Sequence, residues 1–145
     1  MMAISTKGRY SVRILALMAS KPRGHLFNKH EIAEAELISP AYVQQLMMTL
    51  RAAELVNSHR GKVGGFTLAK DPASITVSEV LRASEGPIVM APCLGMESCE
   101  REPGCPTKSL WKRAGELLDD LFSSVTIADL VGQDTDRFLQ AAGDS

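Results

Sequence analysis

Ser39-Pro40-Ala41-Tyr42-Val43-Gln44-Gln45-Leu46-Met47-Met48-Thr49-Leu50-Arg51, with Arg60-Gly61-Lys62-Val63-Gly64-Gly65-Phe66-Thr67-Leu68 close behind it, decides the fold. Ser39 can accept the free N–H groups of a helix N-terminus, and Pro40 stands where its missing N–H costs nothing. Tyr42, Val43, Leu46, Met47 and Leu50 recur at helical spacing as an inward stripe. Ala41, Gln44, Gln45 and Arg51 are left facing outward. The period then changes. Leu55–Arg60 and Gly65–Leu68 flank Gly61-Lys62-Val63-Gly64, which predicts a β-hairpin with a glycine-rich tip.

Upstream, Ser5 or Thr6 can cap a helix running to about Ser20, with Tyr10, Ile14, Leu17 and Met18 on its apolar face. Asn28 with Glu31 three residues later forms a capping box for a short second helix that turns Ile32, Ala33 and Leu37 inward. Downstream, Asp71-Pro72 breaks the chain, and Thr76 with Glu79 opens a helix ending near Gly86-Pro87. Residues 87–107 hold three Cys and several Pro and Gly without periodicity, which predicts a loop. A long amphipathic helix is expected from about Pro106 to Ser124, then a short turn capped by Thr126 and Asp129 and a weakly ordered last dozen residues. Helix, short helix, turn, helix and two-stranded wing is the order of a winged helix-turn-helix. The expected architecture is mainly α with a small β-wing: a DNA-binding domain at 1–86, a cysteine-rich loop at 87–107, and a dimerisation helix with tail at 108–145.

Charge is distributed to match. The net charge is −1, yet residues 1–70 carry ten Lys or Arg against four Asp or Glu, and residues 71–145 carry six against thirteen. A basic half suits a polyanion. Gln44 and Gln45 have the paired donor and acceptor groups that read adenine in a major groove. Ser39 and Tyr42 are placed for phosphate at the helix N-terminus. Arg60 and Lys62 sit on a narrow tip that can enter a minor groove, and Lys7 and Arg9 can clamp a neighbouring phosphate.

The long helix presents Leu110, Ala114, Leu117, Leu121 and Val125 in one line, widened by Trp111, Leu118 and Phe122. It is too long and leucine-rich for so small a domain, so a second copy of the chain is its expected partner. A two-fold dimer implies a palindromic double-stranded operator. No stretch reaches the ~18 apolar residues needed to span a membrane, and the apolar run at Ile14–Ala19 is short for a secretion signal. A cytoplasmic location is expected.

Cys93, Cys99 and Cys105 follow the spacing C-x5-C-x5-C. A disulfide framework is not expected from three cysteines in that compartment. The spacing lacks the C-x-x-C of redox motifs and the close pairs of structural zinc. Thiolates on a flexible glycine- and proline-rich loop suit an iron–sulfur cluster. A metal-free thiol switch through disulfide or sulfenic chemistry is the alternative. Cysteine-nucleophile catalysis would need a base, but His25, His30 and His59 all lie in the first half. An enzyme is not expected.

Lys7-Gly8-Arg9-Tyr10, Ser39-Pro40-Ala41-Tyr42 with Gln45-Leu46, Arg60-Gly61-Lys62-Val63-Gly64-Gly65-Phe66, and the evenly spaced cysteines before Leu110-Trp111 together resemble the Rrf-two family of iron–sulfur winged-helix regulators (IscR-, NsrR- and RirA-like). The resemblance runs from Ser5 to about Val131. It implies a homodimer whose long helix crosses its twin, with a cluster held by Cys93, Cys99 and Cys105. One departure stands out. IscR-like members have a histidine three residues after the third cysteine, where this chain has Lys108. NsrR-like members use an acidic residue of the partner's first helix, where this chain has Arg9. The fourth ligand is left to an oxygen of Glu97, Glu100, Glu102, Ser5 or Thr107, to His30, to solvent or to a small thiol, and both [2Fe–2S] and [4Fe–4S] centres stay open.

Overall fold

The computed structural model of the chain describes residues 2–95 and 97–131. The tail expected to be weakly ordered lies outside them. Helix α1 spans Thr6–Ala19, α2 Lys29–Glu36 and α3 Pro40–Ala52; strands β1 (Val56–His59) and β2 (Gly65–Leu68) follow. A 3-10 turn at Pro72–Ser74 precedes α4 (Val77–Glu85), and another at Pro92–Leu94 lies in the cysteine loop. Helices α5 (Lys108–Ser124) and α6 (Ile127–Val131) complete the order. It is a winged helix-turn-helix followed by a long helix, as expected. Among the described residues, no helix is long and apolar enough to cross a membrane.

Local capping chemistry accounts for the helix starts. Ser5 accepts the Gly8 N–H, Asn28 that of Glu31, Ser39 that of Tyr42 and Thr76 that of Glu79. Each bond satisfies one of the donors that a helix N-terminus leaves open. Thr126 and Asp129 exchange reciprocal bonds, the backbone N–H of each donating to the other's side-chain oxygen at 2.9 and 3.2 Å.

The core forms where α1, α2 and α3 meet under the wing. Ile14, Leu15, Ile32, Val43, Leu46, Met47, Leu50, Leu55 and Val56 are buried together. The wing pairs antiparallel with Val56 opposite Leu68 and His59 opposite Gly65. Phe27 adds a third, one-residue strand: its N–H donates to Phe66 O at 2.9 Å, and Phe66 N–H returns to Phe27 O at 2.7 Å. The periodicity of the sequence does not reveal this pairing, because a single residue carries no alternation. A Cβ on Gly65 would lie 2.5 Å from Phe27 O, so glycine is what permits the approach.

Two expectations need correction. Leu37 is not inward; it is 90% exposed and ends α2 in a left-handed conformation (φ 58°). The left-handed cap redirects the chain, and Glu36 takes the inward place. Val125, expected on the dimer line, is buried in the chain's own fold against Val77 and Leu81. The chain turns back after α5: Val77 N–H donates to Val125 O at 2.9 Å and Ile127 N–H to Ile75 O at 2.9 Å. Residues 125–131, expected with the dimerisation segment, therefore pack onto the N-terminal core, where Ile127 is wholly buried.

Candidate nucleic-acid interface and cysteine loop

Helix α3 turns Val43, Leu46, Met47 and Leu50 into the core, which fixes Ala41, Gln44, Gln45 and Arg51 on the exposed side. Tyr42 is half-buried rather than inward, its ring edge-on to Tyr10 with centroids 6.2 Å apart. Behind Tyr10 stands Arg13, whose guanidinium lies 5.6 Å from the Tyr10 ring centroid and whose Nε donates to Glu36 Oε2 at 2.7 Å. Glu36 is only 9% exposed, so Arg13 supplies the partner its carboxylate needs. This chain of contacts joins α1, α2 and α3. Sequence reading missed it, because its members lie far apart along the chain.

The cations expected at a DNA surface are open to solvent. Lys7, Arg9, Arg51, Arg60 and Lys62 are exposed, and among the described residues none of them forms an ion pair. Arg9 donates to Thr6 Oγ1 at 3.4 Å. Arg60 and Lys62 occupy the hairpin tip, and His59 braces the wing through Thr67 Oγ1 at 2.9 Å. Ser39 is committed to the Tyr42 N–H at 3.1 Å, so its hydroxyl proton remains to donate to an anion.

Cys93, Cys99 and Cys105 are free thiols, each half-buried. Cys93 lies in the 3-10 turn, while Cys99 and Cys105 bracket two successive turns: Cys99 O accepts the Glu102 N–H at 3.0 Å, and Glu102 O accepts the Cys105 N–H at 3.4 Å. Among the described residues, no three His, Cys, Asp or Glu side chains converge as a metal site. The donor set nonetheless suits a soft metal cluster at three of its corners. Cys105 Sγ lies 3.5 Å from Thr107 Oγ1. Hydrogen bonding to Thr107, chiefly to its side chain, and the nearby Lys108 charge hold the Cys105 thiol below its usual pKa. Lys108 is paired with Glu102, a hydrogen bond that chiefly raises the ammonium's pKa, helped by the Glu102, Cys93 and Cys105 charges. A protonated ammonium has no lone pair, so Lys108 is unsuited to serve as a ligand.

Of the other fourth-ligand candidates, Ser5 is committed to capping α1 and to Glu85, and Glu102 to Lys108. Among the described residues, Thr107 is the candidate whose side chain meets a cysteine sulfur. His30 is exposed on α2.

Helix α5 faces two ways. Asp119 binds it to α4, accepting Ser78 Oγ–H and Arg82 Nη2–H, each at 2.6 Å. Those bonds, Ser78 foremost, hold the Asp119 carboxyl below its usual pKa. The opposite edge leaves Leu110 59% and Leu117 52% exposed, with Leu121 also open, while the exposed Trp111 stands nearer Asp119 and lines a shallow recess with it. Ala114, Leu118 and Phe122 are half-buried. Beside them runs an open groove of about 740 Å³ lined by Met2, Ile4, Leu81, Pro87, Leu118 and Phe122 among others.

Comparisons with known proteins agree on one family. The Rrf2 family, described as iron-dependent transcriptional regulator, matches residues 4–133. The HTH-type transcriptional regulator IscR of Klebsiella pneumoniae (strain 342) is 34% identical over 130 residues, spanning 90% of this chain and 80% of the relative. Among solved structures, CymR, described as the global cysteine regulator of B. subtilis, superposes with a TM-score of 0.76 at 35% identity, covering 91% of this chain and 98% of its own. IscR of T. potens superposes with a TM-score of 0.75 at 30% identity, covering 94% and 90%. These relatives are regulators, not enzymes.

Proposed function

The chain belongs to the Rrf2 family of transcriptional regulators, and from that premise we propose that it is a cytoplasmic homodimer whose binding to a palindromic double-stranded operator is controlled by an iron–sulfur cluster. Helix α3 would lie in the major groove, with Gln44 and Gln45 on base edges and Ala41 beside them. Ser39, Tyr42, Lys7, Arg9 and Arg51 would engage phosphates, while Arg60 and Lys62 would reach the minor groove. The partner copy would cover the open edge of α5 through Leu110, Ala114, Leu117, Leu118, Leu121 and Phe122.

Cys93, Cys99 and Cys105 would hold the cluster, which when bound supplies sensitivity to redox state, nitric oxide, oxygen or iron–sulfur supply. The observation that carries the reading is the loop's place in the chain. It runs from Glu85, whose carboxylate holds the start of α1, to Lys108, where α5 begins. A change in the loop acts at once on the helix bearing Lys7 and Arg9 and on the helix that sets the spacing of two copies. Control of this kind requires the two loop states to differ in free energy between the two protein conformations. The test is anaerobic purification with iron and acid-labile sulfide analysis, followed by operator binding before and after iron removal. Iron in the protein and a change in affinity are expected; equal affinity in both states ends the sensing claim.

One observation favours a second reading. The three thiols are free, and Thr107 hydrogen bonding with the Lys108 charge holds the Cys105 thiol below its usual pKa, which suits a metal-free thiol switch. Colourless anaerobic protein whose operator affinity responds to peroxide would select it.

A further inference from the structure

The outward face of α3 carries a side chain that the DNA reading above does not use. Met48 is 63% exposed. It follows Ala41 by seven residues, Gln44 by four and Gln45 by three, and all of these are exposed. At about 100° per residue, the four fall on one narrow face of the helix. The pattern i, i+3, i+4, i+7 is the one by which a helix in a major groove reaches successive base edges. The opposite side of α3 is filled by Val43, Leu46, Met47 and Leu50, so Met48 has no place in the core.

A flexible thioether among amides on a groove-facing surface needs an apolar partner to gain by leaving water. The major groove offers one such group, the C5 methyl of thymine. The amides beside it are suited to adenine, the base that pairs with thymine, so one patch of an A·T-containing half-site satisfies both chemistries. We infer that Met48 is a specificity-determining residue that packs on a thymine methyl in each half-site. The inference rests on α3 being the reading helix.

The probes are duplexes enriched by the wild-type protein from a random-sequence pool, then remade with deoxyuridine at one thymine at a time. Uracil keeps the base pair and removes only the methyl. At one position in each half-site the substitution weakens wild-type binding about fourfold, and in both half-sites together about 15-fold. Met48→Ala binds thymine and uracil duplexes equally with unchanged thermal melting, and Met48→Leu keeps the discrimination. A Met48→Ala protein with the full discrimination, or a wild-type protein with none at any thymine, overturns the inference. The variant Gln44→Ala/Gln45→Ala separates the two failures. If it leaves affinity and enriched sequence unchanged, α3 is not the reader and both readings fall. If it changes them while Met48→Ala keeps its discrimination, the Met48 contact alone is refuted.

Discussion

Glu85 accepts the backbone N–H of Ser5 at 2.8 Å across eighty residues of sequence, and its carboxylate takes the Ser5 hydroxyl as well. Ser5 caps α1 through the Gly8 N–H at 3.0 Å, and Glu85 is the last residue of α4 before the cysteine loop. Gly8 is buried at the joint, where a Cβ would collide with the Glu85 carboxylate. The entry to the loop is thereby fastened to the start of α1.

Glu85→Ala removes both bonds from a helix start and is expected to lower stability by about 1 kcal/mol in urea titration. Where iron removal changes operator affinity as proposed, the variant should also shrink that change. An undiminished iron effect in this variant would show that the joint does not transmit the signal.

Asp119 gives α4 and α5 a pH-dependent clasp. Its native pKa is held below the usual 3.8 by Ser78 and then Arg82, so its contribution is complete at neutral pH. The contribution begins to fail as pH drops past the unfolded value and is gone below the native one. Denaturation of wild type and Asp119→Asn should therefore show a constant stability gap above about pH 5 that closes below about pH 4. A gap that persists at the acid end would contradict the assignment.

Arg13→Ala strands the buried Glu36 carboxylate and should cost about 1–2 kcal/mol. Adding Glu36→Gln should recover part of that loss, since an amide is cheaper to bury unpaired. If the double variant is the sum of the singles, the pair is not coupled.

The wing cations predict the salt response. In a dimer Lys62→Ala removes two cations from the minor groove, where each displaces counterions, so the slope of log affinity against log salt should flatten by about 2. Arg60→Ala should do the same. Lys112→Ala on α5 should leave the slope where it was, and a wing variant with an unaltered slope would take the wing off the DNA.

Leu37 holds a left-handed conformation while exposing 90% of its surface. Leu37→Gly relieves that conformation without giving up burial and should raise stability by about 0.5–1 kcal/mol. A loss on chemical denaturation would mean that the exposed leucine is covered by a partner.

Much of this was legible in advance, and the reason is range. The caps at Ser5, Asn28, Ser39 and Thr76 each act over three residues, and the stripe of Val43, Leu46, Met47 and Leu50 repeats within one helix. Side-chain chemistry and period determine such features locally, so the order of the elements, the winged helix and the outward glutamines could be read from the residues alone. Met48 was legible in position, one face with Ala41 and Gln44, but its apolar character drew it into no reading.

Other features belong to the tertiary structure alone. Phe27 pairs with Phe66, Asp119 clasps Ser78 and Arg82, and Glu85 holds Ser5. Val125, written in the same leucine-rich pattern as the open edge of α5, turned out to be core. An apolar residue declares that it will leave water without saying whether its own chain or another will cover it; that is decided only when the folded backbone brings a surface to meet it.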